Sequence, residues 1–189
     1  MKLLSAGLFA LFLLTGCVTR QQDHFYVLDA QPSGARESRT QFDRQVTLRI
    51  TVPSLVDRNE MVLGSADSVA VMDHERWAAP LADLVTATLA HDIEQRRNSV
   101  VVLSKTADHA GIPLVLIAVD IDQVTARLGS RLTVEAHWRV TDAHTGHEVL
   151  GRDTFVSPQL PQSYAEIAAA LSACIGSLAD RLAGEIPSG

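Results

Sequence analysis

The sequence predicts an α/β fold: a single-domain sandwich in which two main helices pack on a mixed, largely antiparallel sheet. Apolar residues alternate with polar ones over residues 46–52 and again over 132–140. A period of two is typical of strands with one buried face. Residues 77–93 and 164–186 instead repeat apolar residues every three or four positions, which predicts two amphipathic helices.

A short leader precedes the domain. Lys2 stands before an uncharged apolar run, residues 3–14, which is shorter than the about 20 residues that a membrane-spanning helix needs. A basic start, a short apolar run and small residues before a break are typical of a secretory signal peptide. We therefore predict a signal peptide over residues 1–16, with cleavage before Cys17.

The four residues Leu14-Thr15-Gly16-Cys17 resemble the bacterial lipobox, which implies three acyl chains of the palmitate type on Cys17. Two or more chains anchor a protein stably, because each buried CH2 contributes ~0.8 kcal/mol. Cys17 is thus the predicted lipid-attachment site, and residues 17–23 are the lipidated tether. The alternative, an apolar leader with an incidental cysteine, stays open.

The composition limits the partners. Lys2 leaves with the leader, so the basic side chains fall from 16 to 15 against 22 acidic ones, and the 173 mature residues carry a formal charge of −7. Nucleic-acid binding needs a basic surface, so we predict no nucleic-acid partner. Net charge would not draw the domain onto anionic lipid either. Cys174 lies among alanines in a helical pattern and is interpreted as a small buried residue.

The elements follow one another in a single domain, residues 24–189. In chain order we expect a strand at 24–29, a loop at 31–45, a strand at 46–52, a hairpin within 60–73, a helix within 76–98, strands at 99–103 and from 114, a hairpin over 131–156 and a helix over 163–186. Leu114–Val119 is apolar at every position, which predicts a strand covered on both faces. Ser163 and Glu166 predict a capping box.

Histidines supply the candidate metal ligands. His144 and His147 share a turn with Asp142, but two histidines three apart on a turn lack a third reliable ligand and a second shell. We therefore predict no metal and no other cofactor. His91, beside two acidic residues in a helix, and His137, on the polar face of a strand, are interpreted as surface residues.

Motifs of known catalytic classes are missing from the sequence. It contains no nucleophile elbow, no phosphate-cradling glycine loop and no H-E-x-x-H motif, so we predict that the protein is not an enzyme. Paired carboxylates at residues 73–75 and 120–122 keep a periplasmic hydrolase open, because two carboxylates facing one cleft can act as acid and base.

A candidate partner interface comprises Asp57, Arg58, Arg76 and Trp77. Asp57 and Arg58 follow a strand through Pro53, and Arg76 and Trp77 open the first predicted helix. Trp and Arg are favoured anchors of protein interfaces. The alternative is that Trp77 caps the core while Asp57 and Arg58 are ordinary loop charges.

An ordered set of segments resembles the PqiC-type, or YmbA, auxiliary lipoproteins of ABC-type transport systems. The segments span nearly all of the mature chain and are "FYVLD", "VPSLVDRNEMV", "RWAAPLADLVTATLAHDI", "LVLIAVDIDQV", "LTVEAHWRVTDAHTGHEVL" and "SYAEIAAALSACIGSLADRLAGEI". The sequence departs from that family at Ala79, where an acidic residue is frequent, and at Gln123-Val124, where Arg-Phe is frequent.

The resemblance implies a non-catalytic lipoprotein on the inner leaflet of the bacterial outer membrane, facing the periplasm. Val18 is similar to outer-membrane-sorted lipoproteins, which lack aspartate after the cysteine. The implied partners are an MCE-type periplasmic tunnel protein with its ABC permease and ATPase, for lipid transport between the membranes, and a homo-oligomer is a further implication. A lipid-binding carrier stays open as an alternative and requires an apolar pocket of several hundred Å3.

Overall fold

The computed structural model describes residues 21–32, 44–65, 67–97, 99–102 and 114–187. Within these residues four strands precede the first helix, and four more precede the second. The leader, Cys17 and much of the predicted 31–45 loop lie outside the described residues. The elements are β1 (His24–Tyr26), β2 (Arg44–Thr51), β3 (Glu60–Ser65), β4 (Ser68–Trp77), α1 (Leu81–Arg96), β5 (Ser99–Val102), β6 (Leu114–Thr125), β7 (Thr133–Asp142), β8 (Glu148–Val156) and α2 (Tyr164–Glu185).

The strands form a five-stranded sheet in the order β5-β2-β6-β7-β8 and a three-stranded sheet in the order β1-β4-β3. β2 runs parallel to β5 and β6, whereas β6, β7 and β8 form the long antiparallel ladders. β1 is parallel to β4, and β3 is antiparallel to it. The predicted α/β class, with two helices on a mixed and largely antiparallel sheet, is confirmed; the separate small sheet is new.

An isolated bridge joins the two sheets. The N–H groups of Gly64 and Ala126 each donate to the other residue's carbonyl, at 2.6 and 3.1 Å. Gly64 has a φ of 133°, and a Cβ there would lie 2.1 Å from the Ser68 carbonyl oxygen. This position therefore requires glycine.

Both helices lie on one face of the five-stranded sheet, α1 beside β2 and β5 and α2 beside β7 and β8, and they pack against each other. The largest fully buried side chains include Leu89, Ile93, Ile117, Leu132, Ile167, Leu171, Ile175, Leu178 and Leu182. Burying each such side chain contributes ~1.5–3 kcal/mol before entropy is subtracted. By length and composition α2 could span a bilayer, but 67% of its most apolar window is buried in the domain, as in a core helix.

The N-terminus of α2 confirms the predicted cap in a modified form. Ser163 Oγ accepts the Glu166 N–H at 3.3 Å. The Glu166 carboxylate reaches back to the Gln162 N–H at 2.8 Å, one residue earlier than in the usual capping box.

Two predictions about individual elements are wrong. Arg76 and Trp77 do not open the first helix: they end β4, and the Trp77 and Ala78 N–H groups donate to the Asn59 and Tyr26 carbonyls. Since Pro80 disfavours helical backbone in the residue before it, α1 begins after it.

The second correction concerns β6. Val115, Ile117 and Val119 are buried under the helices, but Leu116 on the opposite face is 41% exposed. The strand is therefore not covered on both faces by the described residues, because both helices occupy the same side of the sheet.

Candidate functional site

The four residues of the predicted interface have different roles in the structure. Trp77 is 3% exposed and belongs to the core, as the alternative interpretation requires. Asp57 Oδ1 accepts the Ala82 N–H at 2.9 Å. Arg58 and Arg76 both contact the Glu60 carboxylate, at 2.9 and 3.1 Å. Whether this surface meets a partner stays a prediction.

The Asp57 contact acts as a helix cap supplied from a distant loop. α1 starts after Pro80, whose side chain cannot accept a hydrogen bond, so its first N–H groups lack a local cap. The Asp57 carboxylate satisfies one of them from 25 residues earlier in the chain. Its negative charge also suits the positive end of the helix dipole.

A network of ion pairs lies where the predicted tether enters the fold. We call it the tether-end cluster, and its members are Asp23, His24, Arg58, Glu60, His74, Glu75 and Arg76. Asp23 meets His74 Nδ1 at 2.9 Å and Arg76 Nε at 3.2 Å, and Arg76 continues to Glu60. The parallel pairing of β1 with β4 sets Phe25 opposite Arg76, which brings these charges together.

The other half of the tether-end cluster surrounds Glu75. Its carboxylate accepts the Tyr26 hydroxyl at 2.6 Å and lies 3.1 Å from His24 Nδ1. Burial, with the hydrogen bond to Glu75, raises the pKa of Tyr26 to about 12. The Tyr26 hydrogen bond in turn lowers the pKa of Glu75, and the Arg58 hydrogen bond lowers the pKa of Glu60. Both carboxylates are therefore charged at neutral pH.

The turn that carries His144 and His147 uses its carboxylate on the backbone. Asp142 Oδ1 accepts the N–H groups of His144 and Thr145 at 2.8 and 3.0 Å, and these bonds lower the pKa of Asp142. No group of three or more His, Cys, Asp or Glu side chains within the described residues could hold a metal ion.

The paired carboxylates of β6 lie on the open face of the five-stranded sheet and are held in ion pairs. Asp122 contacts His137 Nδ1 at 3.0 Å and Arg152 at 2.9 Å, and Asp120 lies 3.4 Å from His137 Nε2. Cross-strand register places Asp120, His137 and Arg152 in one row. Asp122 meets the opposite charge of Arg152 across the intervening strand β7.

Asp92 is a buried carboxylate that sequence reasoning missed. It is fully buried, its Oδ1 accepts the Gln31 N–H at 2.8 Å and lies 3.2 Å from Arg96, and its Oδ2 has no hydrogen-bond partner among the described residues. Loss of water on burial raises the pKa of Asp92. Arg96 also binds the Gly176 carbonyl and Asp180.

This arrangement fastens the segment after β1 across both helices. The Asp29 N–H donates to Ser172 Oγ at 3.1 Å on α2, and the Gln31 N–H donates to Asp92 on α1. These bonds explain why β1 ends at Tyr26 rather than at residue 29: the following N–H groups bind helix side chains instead of a strand.

Two cavities among the described residues differ in size and lining. A groove of about 610 Å3 between α2 and β8 is lined mainly by polar side chains, among them Asp153, Asp180 and Arg181. An apolar cleft of about 120 Å3 lies between the two sheets, beside Leu55 and Val69. Neither combines the volume and the apolar lining that a lipid carrier requires.

Cys174 confirms its interpretation as a small core residue. It is 1% exposed, and burial raises the pKa of its thiol to about 12. A thiol that stays protonated at neutral pH is a poor nucleophile.

The fold and these contacts define an α/β domain in which many of the described charged side chains form ion pairs or cap backbone N–H groups. The chain matches, over residues 26–183, the family model described as ABC-type transport auxiliary lipoprotein component. It belongs to that family, whose members are auxiliary transport components rather than enzymes by description. No curated protein is detectably similar in sequence.

Two solved structures with TM-scores above 0.6 share the fold. A crystal structure described as an uncharacterized protein has a TM-score of 0.68 and 16% identity, over 88% of this chain and 100% of that one. Protein XCC0632 from Xanthomonas campestris has a TM-score of 0.64 and 13% identity, over 86% and 94%. A PelC dodecamer from Paraburkholderia phytofirmans is less similar, with a TM-score of 0.38 and 12% identity over 73% and 87%.

Proposed function

We propose that this chain is a non-catalytic lipoprotein of the bacterial outer membrane that serves an ABC-type, MCE-associated lipid transport system. Acyl chains on Cys17 hold it in the inner leaflet, and its folded domain faces the periplasm and positions an MCE-type tunnel protein there. Membership of the auxiliary lipoprotein family carries the proposal. The lipobox-like residues Leu14 to Cys17 support the anchor.

The short tether limits where the domain can work. Six residues separate Cys17 from Asp23, and at 3.3–3.6 Å per residue they reach about 20 Å at most. The anchored domain therefore acts close to the leaflet, which suits a part that docks the end of a protein bridge to the membrane.

The anchor is tested by two matched cysteine variants. Cys17→Ala, exported behind a signal peptide that is cut without lipidation, should fold, fractionate as a soluble periplasmic protein and fail to restore the outer-membrane barrier in a deletion strain. Cys174→Ala should keep its acyl chains and its activity. Full complementation by the unanchored protein would contradict the proposal, and an unmodified Cys17 in the intact mass of the parent would do so as well.

The proposed partner surface needs its own test. Arg58→Glu with Arg76→Glu reverses two charges of the tether-end cluster and should reduce co-purification of the MCE-type partner. Arg139→Glu reverses an exposed charge on the open face of the sheet and serves as the control. Equal partner recovery with the double variant and the control would place the partner elsewhere on the domain.

A further inference from the structure

Two exposed apolar side chains form a ridge on the first strand and the residue after it. Phe25 is 64% exposed and Val27 is 53% exposed, whereas Leu28 is 9% exposed and Tyr26 packs against the core. Successive side chains of an extended chain point to opposite sides, and those two positions apart lie about 7 Å from each other on one side. Phe25 and Val27 therefore face outward together, where polar residues are the usual choice.

The ridge lies on the first described strand and the residue after it, close along the chain to the predicted anchor. Eight residues separate Cys17 from Phe25, so the covalent reach is about 29 Å at most, at 3.6 Å per residue. That limit keeps β1 within about 29 Å of the leaflet in which the acyl chains lie. Leu150, which is as exposed as Phe25 at 66%, lies on β8 and has no such constraint.

The charges beside the ridge permit close approach to phospholipid. The mature chain as a whole carries −7, which opposes contact with anionic headgroups. In the tether-end cluster, however, Arg58 and Arg76 largely offset Asp23, Glu60 and Glu75, and Arg76 is the register partner of Phe25. With neutral histidines the cluster therefore carries a formal charge of −1, a small part of the −7 of the mature chain.

We propose that Phe25 and Val27 insert into the headgroup region of the phospholipid leaflet and so fix the orientation of the anchored domain. The inference rests on the proposed anchoring through Cys17. The acyl chains supply the attachment, and the ridge decides which side of the domain faces the membrane. An aromatic and an aliphatic side chain next to a lipid anchor suit this role, because apolar side chains gain by leaving water at the boundary of the acyl region.

The test uses the full lipidated protein in phosphatidylethanolamine and phosphatidylglycerol vesicles with brominated acyl chains. Phe25→Trp places an indole on the ridge, and Leu150→Trp places one on an equally exposed site in the other sheet. The parent supplies the background, because Trp77 and Trp138 are each 3% exposed. We expect a blue shift and a loss of indole fluorescence for Phe25→Trp, and neither change for Leu150→Trp.

The outcomes separate this inference from the proposed anchor. If intact mass shows an acylated Cys17 but quenching is the same for both variants, the ridge does not meet lipid and the orientation is overturned while the anchor stands. An unacylated Cys17 overturns both. If Phe25→Ser lowers the native mass of the unlipidated Cys17→Ala protein, the ridge joins two copies of the chain, and the membrane role is likewise overturned.

Discussion

The indole ring of Trp138 on β7 lies over Gly151 on β8 and leaves no room there for a side chain. A Cβ on Gly151 would lie 2.3 Å from Trp138 Cε2, and the two residues are register partners. The indole Nε1–H then donates to Glu185 at 2.6 Å. One glycine thereby allows the sheet to hold the C-terminal end of α2.

Gly151→Ala should lower the free energy of unfolding. The new methyl group forces the ring of Trp138 away from Glu185, and overpacking of this kind costs ~1–3 kcal/mol. Gly184→Ala is the control, because no atom lies within 4 Å of its added Cβ and alanine favours the helix by up to ~1 kcal/mol. In chemical denaturation, the unfolding midpoint should fall for Gly151→Ala and rise for Gly184→Ala. Equal midpoints for the two variants would contradict the packing of Trp138 over Gly151.

Asp57→Ala should destabilise the domain by ~0.5–2 kcal/mol, the usual cost of losing a helix cap. The variant leaves the Ala82 N–H without its carboxylate partner. Asp57→Asn retains an oxygen that accepts the bond, so it should lose less. Thermal unfolding of both variants measures the difference. If Asp57→Ala unfolds like the parent but loses the transport partner, the residue is an interface residue rather than a cap.

Asp142→Ala should lower the free energy of unfolding at neutral pH, and this deficit should shrink as the pH falls below 3.8. Backbone hydrogen bonds in the β7–β8 turn hold the pKa of Asp142 below its ordinary value of 3.8. A lowered folded-state pKa adds stability that is present above 3.8 and is lost as the pH falls through the folded value. Unfolding measured from pH 7 to pH 3 checks this, with Asp142→Asn as control. A deficit that does not change with pH would show that the charge is unimportant.

Asp92 should give the opposite pH dependence. Burial raises the pKa of Asp92 in the folded state above its ordinary value of 3.8. Between 3.8 and this raised folded-state pKa, the folded state binds more protons than the unfolded state. The free energy of unfolding therefore falls as the pH rises through that interval. Asp92→Asn removes this component, so the stability of the parent relative to the variant should increase on acidification. If the difference in free energy of unfolding between the parent and Asp92→Asn stays constant from pH 7 to pH 4, the pKa of Asp92 is not raised by burial.

Local patterns were sufficient to predict β7 and α2. Alternation over residues 132–140 predicted β7 and its buried face, which the structure confirms in Val134, Ala136 and Trp138. The apolar stripe of α2 predicted a core helix for the same reason, since backbone periodicity alone decides which side chains share a face.

Local sequence patterns could not predict which side chains of distant segments contact each other. Trp77 suits an interface as well as a core by composition, and only the pairing of β1 with β4 placed it inside. Asp92 was indistinguishable in the sequence from a solvated helix residue, because its backbone partner, Gln31, lies 61 positions away. The pairing of Phe25 with Arg76 depends in the same way on two strands meeting across about fifty residues.

Amino-acid order alone therefore predicted a leader and a lipid-attachment cysteine, and it determined the periods of the strands and helices and the resemblance to auxiliary lipoproteins, because each of these is written in neighbouring residues. The tertiary contacts between distant segments decided the rest. These contacts produced the division into two sheets, the open face of β6, the burial of Trp77 and Asp92, and the ridge of Phe25 and Val27. Those features depend on which remote segments exclude water from one another, and no local period records that.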